Sequence, residues 1–145
     1  MQTRFVDPSQ GEMSDLGRIR MRLLVSSAAT NGTFSAAEFR GSEGAWTIPH
    51  VHRQLEESFY VLEGAFSFTC GNDIFEAERG AFLVVPRGTP HVLSAGDSGG
   101  VLLVLWTPGG LEEMFIELGH LPPASITDPD VRAEIAKRYD SVPVG

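Results

Sequence analysis

Residues 44–64 read GAWTIPHVHRQLEESFYVLEG, and this stretch decides how the rest of the chain is interpreted. It places His50, His52 and Glu57 within eight residues. On a β-strand, residues two apart share a face and lie roughly 7 Å apart along the backbone, so both imidazoles can converge on one ion. The polar residues 53–56 are typical of a bend, after which Glu57 can return to the same face on the next strand. Two imidazoles and a carboxylate suit a divalent transition metal.

A second stretch, residues 80–95, reads GAFLVVPRGTPHVLSA. It predicts an apolar strand over 81–85, a turn rich in Pro and Gly over 86–90, and His91 at the exit of that turn. A histidine in this place would supply a fourth ligand. The remaining histidine, His120, lies in a Gly-His-Leu-Pro-Pro segment and is predicted to be a surface residue.

Together the two stretches resemble the cupin family. The first family pattern, G-x5-H-x-H-x(3,4)-E-x6-G, is matched by Gly44, His50, His52, Glu57 and Gly64. The second, G-x5-P-x-G-x2-H-x3-N, is matched by Gly80, Pro86, Gly88 and His91, with Ala95 in place of the final Asn. The spacing to Gly64 selects Glu57 as the family glutamate, and Glu56 is then predicted to be a solvated turn residue. The resemblance implies one divalent metal ion (Fe, Mn, Ni, Cu or Zn) held by His50, His52, Glu57 and His91.

The predicted fold is all-β, a cupin jelly-roll β-sandwich barrel with short C-terminal α-helices. We divide the chain into an N-terminal lead (1–17), the barrel (18–107) and a helical tail packed on the outside of the barrel (108–145). Turns at 63–64 and a loop at 96–100 are predicted to separate the strands of the barrel. In the tail, apolar residues recur at helical spacing over 111–118, and Asp128 followed by Pro129 predicts the start of a second helix.

Strand parity predicts the surroundings of the metal. If Glu57 points inward, so do Phe59 and Val61, while Ser58 and Tyr60 point away. Candidate substrate-pocket residues are Phe59, Val61, Phe66, Phe68, Phe82, Leu93, Ala95 and Trp106, although each aromatic side chain can instead simply fill the core. Cys70 shares a strand face with Phe66 and Phe68, which favours a small buried hydrophobe over a nucleophile.

The composition and charge of the chain limit the classes of molecule that it is expected to bind. A net charge of −8 and an isoelectric point near 4.9 argue against nucleic acid or an anionic membrane as the partner. The chain has one cysteine, no apolar run long enough to span a membrane and no apolar run in its first 17 residues. We therefore expect no internal disulfide, no signal peptide and a cytoplasmic location. The resemblance adds the expectation of a homodimer formed through edge strands.

Three functions remain open, all with a small-molecule ligand. The first is a dioxygenase similar to the single-domain quercetin dioxygenases, in which the resemblance implies that Glu57 also acts as a catalytic base. The second is a metal-dependent isomerase, epimerase or polyketide cyclase, and the third is a non-catalytic binding barrel. The chain has a single lysine, Lys137, and a barrel interior poor in cations is badly equipped for sugar phosphates. This favours a neutral aromatic or enol-type substrate and hence the dioxygenase.

Overall fold

The structure is a computed structural model that describes residues 1–144, and β-strands dominate it. The strands are β1 (Met13–Asp15), β2 (Ile19–Val25), β3 (Ser35–Gly41), β4 (Gly44–Ala45), β5 (His50–Val51), β6 (Glu56–Cys70), β7 (Asp73–Glu78), β8 (Phe82–Val85), β9 (His91–Thr107) and β10 (Val142–Pro143). A short 3-10 helix spans Ala28–Thr30, and three α-helices follow the barrel: α1 (Glu112–Gly119), α2 (Pro123–Ile126) and α3 (Pro129–Ala136). None of these helices combines the length and apolar character needed to cross a bilayer.

Two long antiparallel strands, β6 and β9, join the two halves of the sandwich. In one half, the N-terminal part of β6 pairs with β8 on one side and with the C-terminal part of β9 on the other. Beyond β9 the sheet continues with β3, β2 and β1. In the other half, the C-terminal part of β6 pairs with β7 on one side and with the N-terminal part of β9 on the other. There β9 also pairs with β4 and β5, and β10 pairs with β5. The core between the two halves includes Trp106, Phe66, Phe68 and Met21, all almost fully buried. The predicted all-β jelly roll with short C-terminal helices is confirmed.

The predicted turn at 63–64 and the predicted loop at 96–100 are wrong, because both segments lie inside continuous strands. The β6–β9 register shifts between Val61 and Glu63 and again between Gly64 and Phe66, so β6 bends there to pass from one half of the sandwich to the other. A Cβ on Gly64 would lie 2.2 Å from the Gly99 carbonyl oxygen, and Gly64 has φ +76°. Glycine is required because the backbones of the two strands approach so closely at the bend.

The N- and C-terminal segments also contribute strands that the sequence does not predict. β1 forms within the predicted N-terminal lead and pairs with β2, while β10 pairs with β5 at His50 and Val51. In the tail, the predicted cap of α3 is confirmed, since the Asp128 side chain accepts hydrogen bonds from the backbone N–H groups of Asp130 and Val131. α1 packs its Phe115 ring against Phe39 and Trp106, with ring centroids 5.0 and 5.8 Å away.

Candidate metal centre

Four side chains named from the sequence converge inside the barrel. His50, His52, Glu57 and His91 each offer one ligand atom, and these atoms all lie within 4.8 Å of one another. All four residues are buried. The strand parity prediction is confirmed here, because Glu57, Phe59 and Val61 are buried along β6 whereas Tyr60 is 40% exposed.

The topology explains how residues distant in sequence meet. His50 on β5 and His91 at the start of β9 are direct partners across neighbouring strands. Glu57 lies near the start of β6, in the other half of the sandwich, and pairs with Trp106 and Val85 on either side. His52 follows β5, and its carbonyl oxygen accepts a hydrogen bond of 2.7 Å from the Gly88 N–H, in the turn that leads to His91. The centre therefore lies between the two halves.

Backbone carbonyl oxygens orient all three imidazoles. The Nδ1 atoms of His50 and His91 lie 2.7 and 2.9 Å from the carbonyl oxygens of Ile48 and Thr89, and Nδ1 of His52 contacts the carbonyl of Asp140. A carbonyl oxygen only accepts hydrogen bonds, so each Nδ1 carries the proton and donates it. A ring held in this way presents its Nε2 lone pair when it is neutral, as metal-binding histidines do.

The contacts of Glu57 test whether this donor set fits a metal. Its Oε1 atom lies 3.2 Å from Nε2 of His52 and 3.0 Å from Nε2 of His91. If both nitrogens carry lone pairs, these are contacts between acceptors, which are favourable only when positive charge is present. One divalent cation would satisfy the imidazoles and the carboxylate together, whereas protonation would place a separate charge on each buried ring. The residues present therefore fit a divalent metal.

The pKa directions of His50 and Glu57 agree with this, whereas that of His52 favours a proton on Nε2, for which a metal ion would have to compete. Burial, assisted by the neighbouring His91, lowers the pKa of His50 to about 4. Burial also disfavours a charge on His52, but the hydrogen bond and negative charge of Glu57 outweigh it and raise the pKa of His52. Burial alone would raise the pKa of Glu57, yet the hydrogen bonds from His52 and His91 outweigh it and hold that pKa below its usual range. At neutral pH, His50 is neutral and Glu57 is ionised, as metal ligands must be.

Trp106, which the sequence suggests as a pocket residue, instead contacts Glu57 directly. It is fully buried, and its Nε1 donates a hydrogen bond of 2.7 Å to Oε2 of Glu57. One carboxylate oxygen is thereby held by the indole, and the other is directed at the histidines. A buried tryptophan usually finds an acceptor for its N–H, and this is the sequence signal that could have linked Trp106 to a carboxylate.

We predict that Trp106→Phe weakens metal binding by about 10- to 100-fold, the usual effect of removing a partner of a metal ligand. Phenylalanine keeps most of the buried ring but leaves Oε2 of Glu57 without its donor. Trp46→Phe is the matched control, because Trp46 is also buried and its Nε1 donates to the Ser42 carbonyl oxygen, away from the ligands. Competition with a chelator measures both variants, and equal affinities would show that the indole does not position Glu57.

Asp140 is a second residue that sequence reasoning misses. Its carbonyl oxygen accepts the Nδ1 proton of His52, and its carboxylate accepts from the backbone N–H groups of Arg53 and Gln54 at 2.8 and 2.7 Å. Asp140 thus fastens the end of the tail to the bend that carries His52. No local pattern could have indicated this, because 88 residues separate His52 from Asp140.

A cavity of about 340 Å³ opens onto His50, His52 and Glu57. Of the predicted pocket residues, Phe59 and Leu93 border it. The remaining buried candidates belong to the core and do not line the cavity; these are Val61, Phe66, Phe68, Ala95 and Trp106. Phe82 is 59% exposed and lies opposite the outward-pointing Tyr60, so it does not border this cavity.

The helical tail forms one wall of the cavity. The sequence predicts only that the tail packs on the outside of the barrel. The lining residues of α1 are Met114, Phe115 and Leu118, and those of α3 are Pro129, Arg132, Ala133 and Ala136. The spacing of the α3 residues by three and four positions shows that one helix face is directed at the cavity. The tail therefore shapes the space beside the metal ligands.

Three further residues from the sequence analysis lie outside the centre. His120 is exposed, as predicted. Glu56 is not a turn residue, because it begins β6 and forms an ion pair with Arg87. Cys70 is a free cysteine that is only partly buried, and burial together with the charge of Asp73 raises the pKa of its thiol.

Comparison with known proteins agrees with this geometry. The family model described as "Cupin domain" matches residues 39–108, which include all four residues of the candidate metal centre. Quercetin 2,3-dioxygenase of Bacillus subtilis is 25% identical over 114 residues, which are 79% of this chain and 34% of that protein. The chain thus spans about a third of the length of this curated relative.

Solved structures share the fold at lower identity. KdgF from Halomonas sp. superposes with a TM-score of 0.69 at 19% identity, over 77% of this chain and 99% of that one. The nucleoside dehydratase Pac13 from Streptomyces superposes with a TM-score of 0.63 at 12% identity, over 77% of this chain and 88% of that one. Residues 39–108 form a cupin domain.

Proposed function

We propose that this protein is a metal-dependent dioxygenase that acts on a flat aromatic or enol-type small molecule. The observation that carries the proposal is the mainly apolar cavity of about 340 Å³ that ends at His50, His52 and Glu57. Its volume lies in the range of small-molecule sites, and apolar walls with a few convergent polar groups are typical of them. The similarity to a quercetin 2,3-dioxygenase supports this reaction class.

The chain's own residues have distinct roles in this proposal. His50, His52, His91 and Glu57 would hold the metal, which when bound acidifies a substrate hydroxyl and provides a place for oxygen chemistry. Phe59 and Leu93 lie beside the ligands and exclude water from the reacting end of the substrate. Glu57 is the only carboxylate that borders the cavity within residues 1–144, and we assign to it the removal of the hydroxyl proton.

A non-oxidative reaction, such as an isomerisation, epimerisation or cyclisation, is the alternative. It would use the same ligands and the same base, because proton transfer by Glu57 does not itself require oxygen. The fold similarity to a nucleoside dehydratase shows only that other reactions occur on this scaffold. The requirement for oxygen therefore separates the two proposals.

The deciding experiment combines elemental analysis of the purified protein with oxygen uptake on a panel of flavonols and small enols. We expect substrate loss and oxygen uptake in equal amounts, and neither in a metal-free His91→Ala variant. Substrate loss without oxygen uptake would replace the dioxygenase by the non-oxidative enzyme. Tight binding without turnover would indicate a binding protein instead.

A further inference from the structure

One cationic side chain borders the cavity. Arg132 lies on α3, and within residues 1–144 no other lysine or arginine contributes to the cavity wall. The sequence predicts a barrel interior poor in cations, because most arginines fall in the first strand, in turns or in the tail. The structure changes this conclusion, since the tail itself forms a wall of the cavity.

The side chain of Arg132 forms no hydrogen bond and no ion pair in the part of the chain that the structure describes. Five of the other nine arginines form ion pairs with carboxylates, whereas Arg132, which is partly exposed, forms none in the described residues. Arg138, six residues later on the same tail, contrasts with it, because its two terminal nitrogens donate to Glu117 at 2.7 and 2.6 Å. The guanidinium of Arg132 is thus available to a ligand.

The neighbours of Arg132 leave room for that ligand. Pro129, Ala133 and Ala136 share its face of α3 and also border the cavity. Their short side chains leave space between the helix and the barrel wall, where a flat molecule could lie between Arg132 and the ligand cluster. The chain carries a net charge of −8, so an anionic molecule gains little from the overall field and needs a local cation to bind.

We infer that Arg132 is a specificity-determining residue that binds a carboxylate on the end of the substrate remote from His50, His52 and Glu57. A guanidinium can bind a carboxylate through two parallel hydrogen bonds, so one arginine is sufficient to bind one carboxylate. The inference rests on the proposed function and deepens it: the substrate class becomes aromatic or enolic carboxylic acids, with hydroxyl groups at one end and an acid at the other. It replaces the expectation of a neutral substrate.

Calorimetric titration of the metal-loaded protein without oxygen tests this. The probes are 3,4-dihydroxybenzoate and 3,4-dihydroxycinnamate, each compared with its primary amide, which keeps the shape and the hydroxyl groups but removes the charge. We expect the wild type to bind at least one acid about 10- to 100-fold more tightly than its amide, the scale of a charge-assisted hydrogen-bonded pair. Arg132→Gln should reduce this ratio to near one, mainly by weakening the binding of the acid, with metal content unchanged.

Arg132→Lys should restore part of the ratio, because lysine keeps the charge but not the planar fork. Arg138→Gln is the matched control, since it removes one positive charge from the same tail outside the cavity wall, and it should keep the full ratio. Equal affinities for acid and amide in the wild type, no detectable binding of either acid, or an unchanged ratio in Arg132→Gln would each overturn the inference. Oxygen uptake is measured separately: an intact ratio without uptake overturns the dioxygenase proposal and leaves the assignment of Arg132 standing.

Discussion

His91→Ala is expected to weaken metal binding by at least about 100-fold, because losing a direct ligand should cost no less than losing one of its supporting partners. His91 is only 2% exposed, and its Nε2 faces Oε1 of Glu57. Removing the imidazole leaves three donors and a small space that water can fill. Alanine at His50 or His52 should act in the same way, since each ring has its Nδ1 held by a carbonyl and also belongs to the cluster of candidate ligands.

Chelator competition with Zn²⁺ or Co²⁺ gives the affinity, and elemental analysis gives the content as purified. His120→Ala is the matched control, because it removes a histidine that is exposed and outside the ligand cluster. Thermal unfolding separates metal loss from misfolding: a chelator should lower the midpoint of the wild type and of His120→Ala but not that of His91→Ala. Stoichiometric metal in the triple variant at positions 50, 52 and 91 would place the site elsewhere.

Three of the four candidate ligands could be predicted from local sequence, and the family resemblance added support for His91 as the fourth. His50 and His52 share a face through the two-residue period of a strand, and the same period carries the inward direction from Glu57 to Phe59. A bend between β5 and β6 is enough to return Glu57 to the histidines. The structure brings all four predicted ligand residues together within 4.8 Å.

What could not be predicted depends on register and on distant contacts. The direction of Phe82 follows from its pairing with Tyr60, and no feature of the sequence fixes the register of β8 on β6. The hydrogen bond from Trp106 to Glu57 likewise follows from the register of β9 on β6. Asp140 and Arg132 belong to a tail whose course over the barrel is set by packing, for example of Phe115 on Phe39 and Trp106.

The contacts of Glu57 lead to the second large effect. Glu57→Gln preserves the shape of the side chain but cannot accept a proton at neutral pH. At full metal occupancy, we expect turnover to fall by about 100-fold or more, the usual scale for loss of a general base. The measurement is the rate of oxygen uptake per bound metal ion, which separates the chemical step from a change in metal content.

Trp106 makes the interpretation of this variant more demanding. The indole N–H needs an acceptor, so the amide introduced by Glu57→Gln would turn its carbonyl oxygen to Trp106 and its NH₂ group towards His52 and His91. An NH₂ group has no lone pair to offer a metal, and the three histidines would then hold the ion alone, with weaker affinity. Assays of Glu57→Gln must therefore be made at metal concentrations that saturate the remaining ligands.

The double variant Glu57→Gln with Trp106→Phe provides the control. Without the indole N–H, the amide oxygen is free to face the histidines, so metal affinity should recover in part relative to Glu57→Gln. Turnover should not recover, because the amide still cannot take the proton from the substrate. Turnover near the wild-type rate in either metal-loaded variant would reduce Glu57 to a plain ligand, and recovery of turnover together with metal affinity would show that the loss came from misplaced metal and not from a missing base.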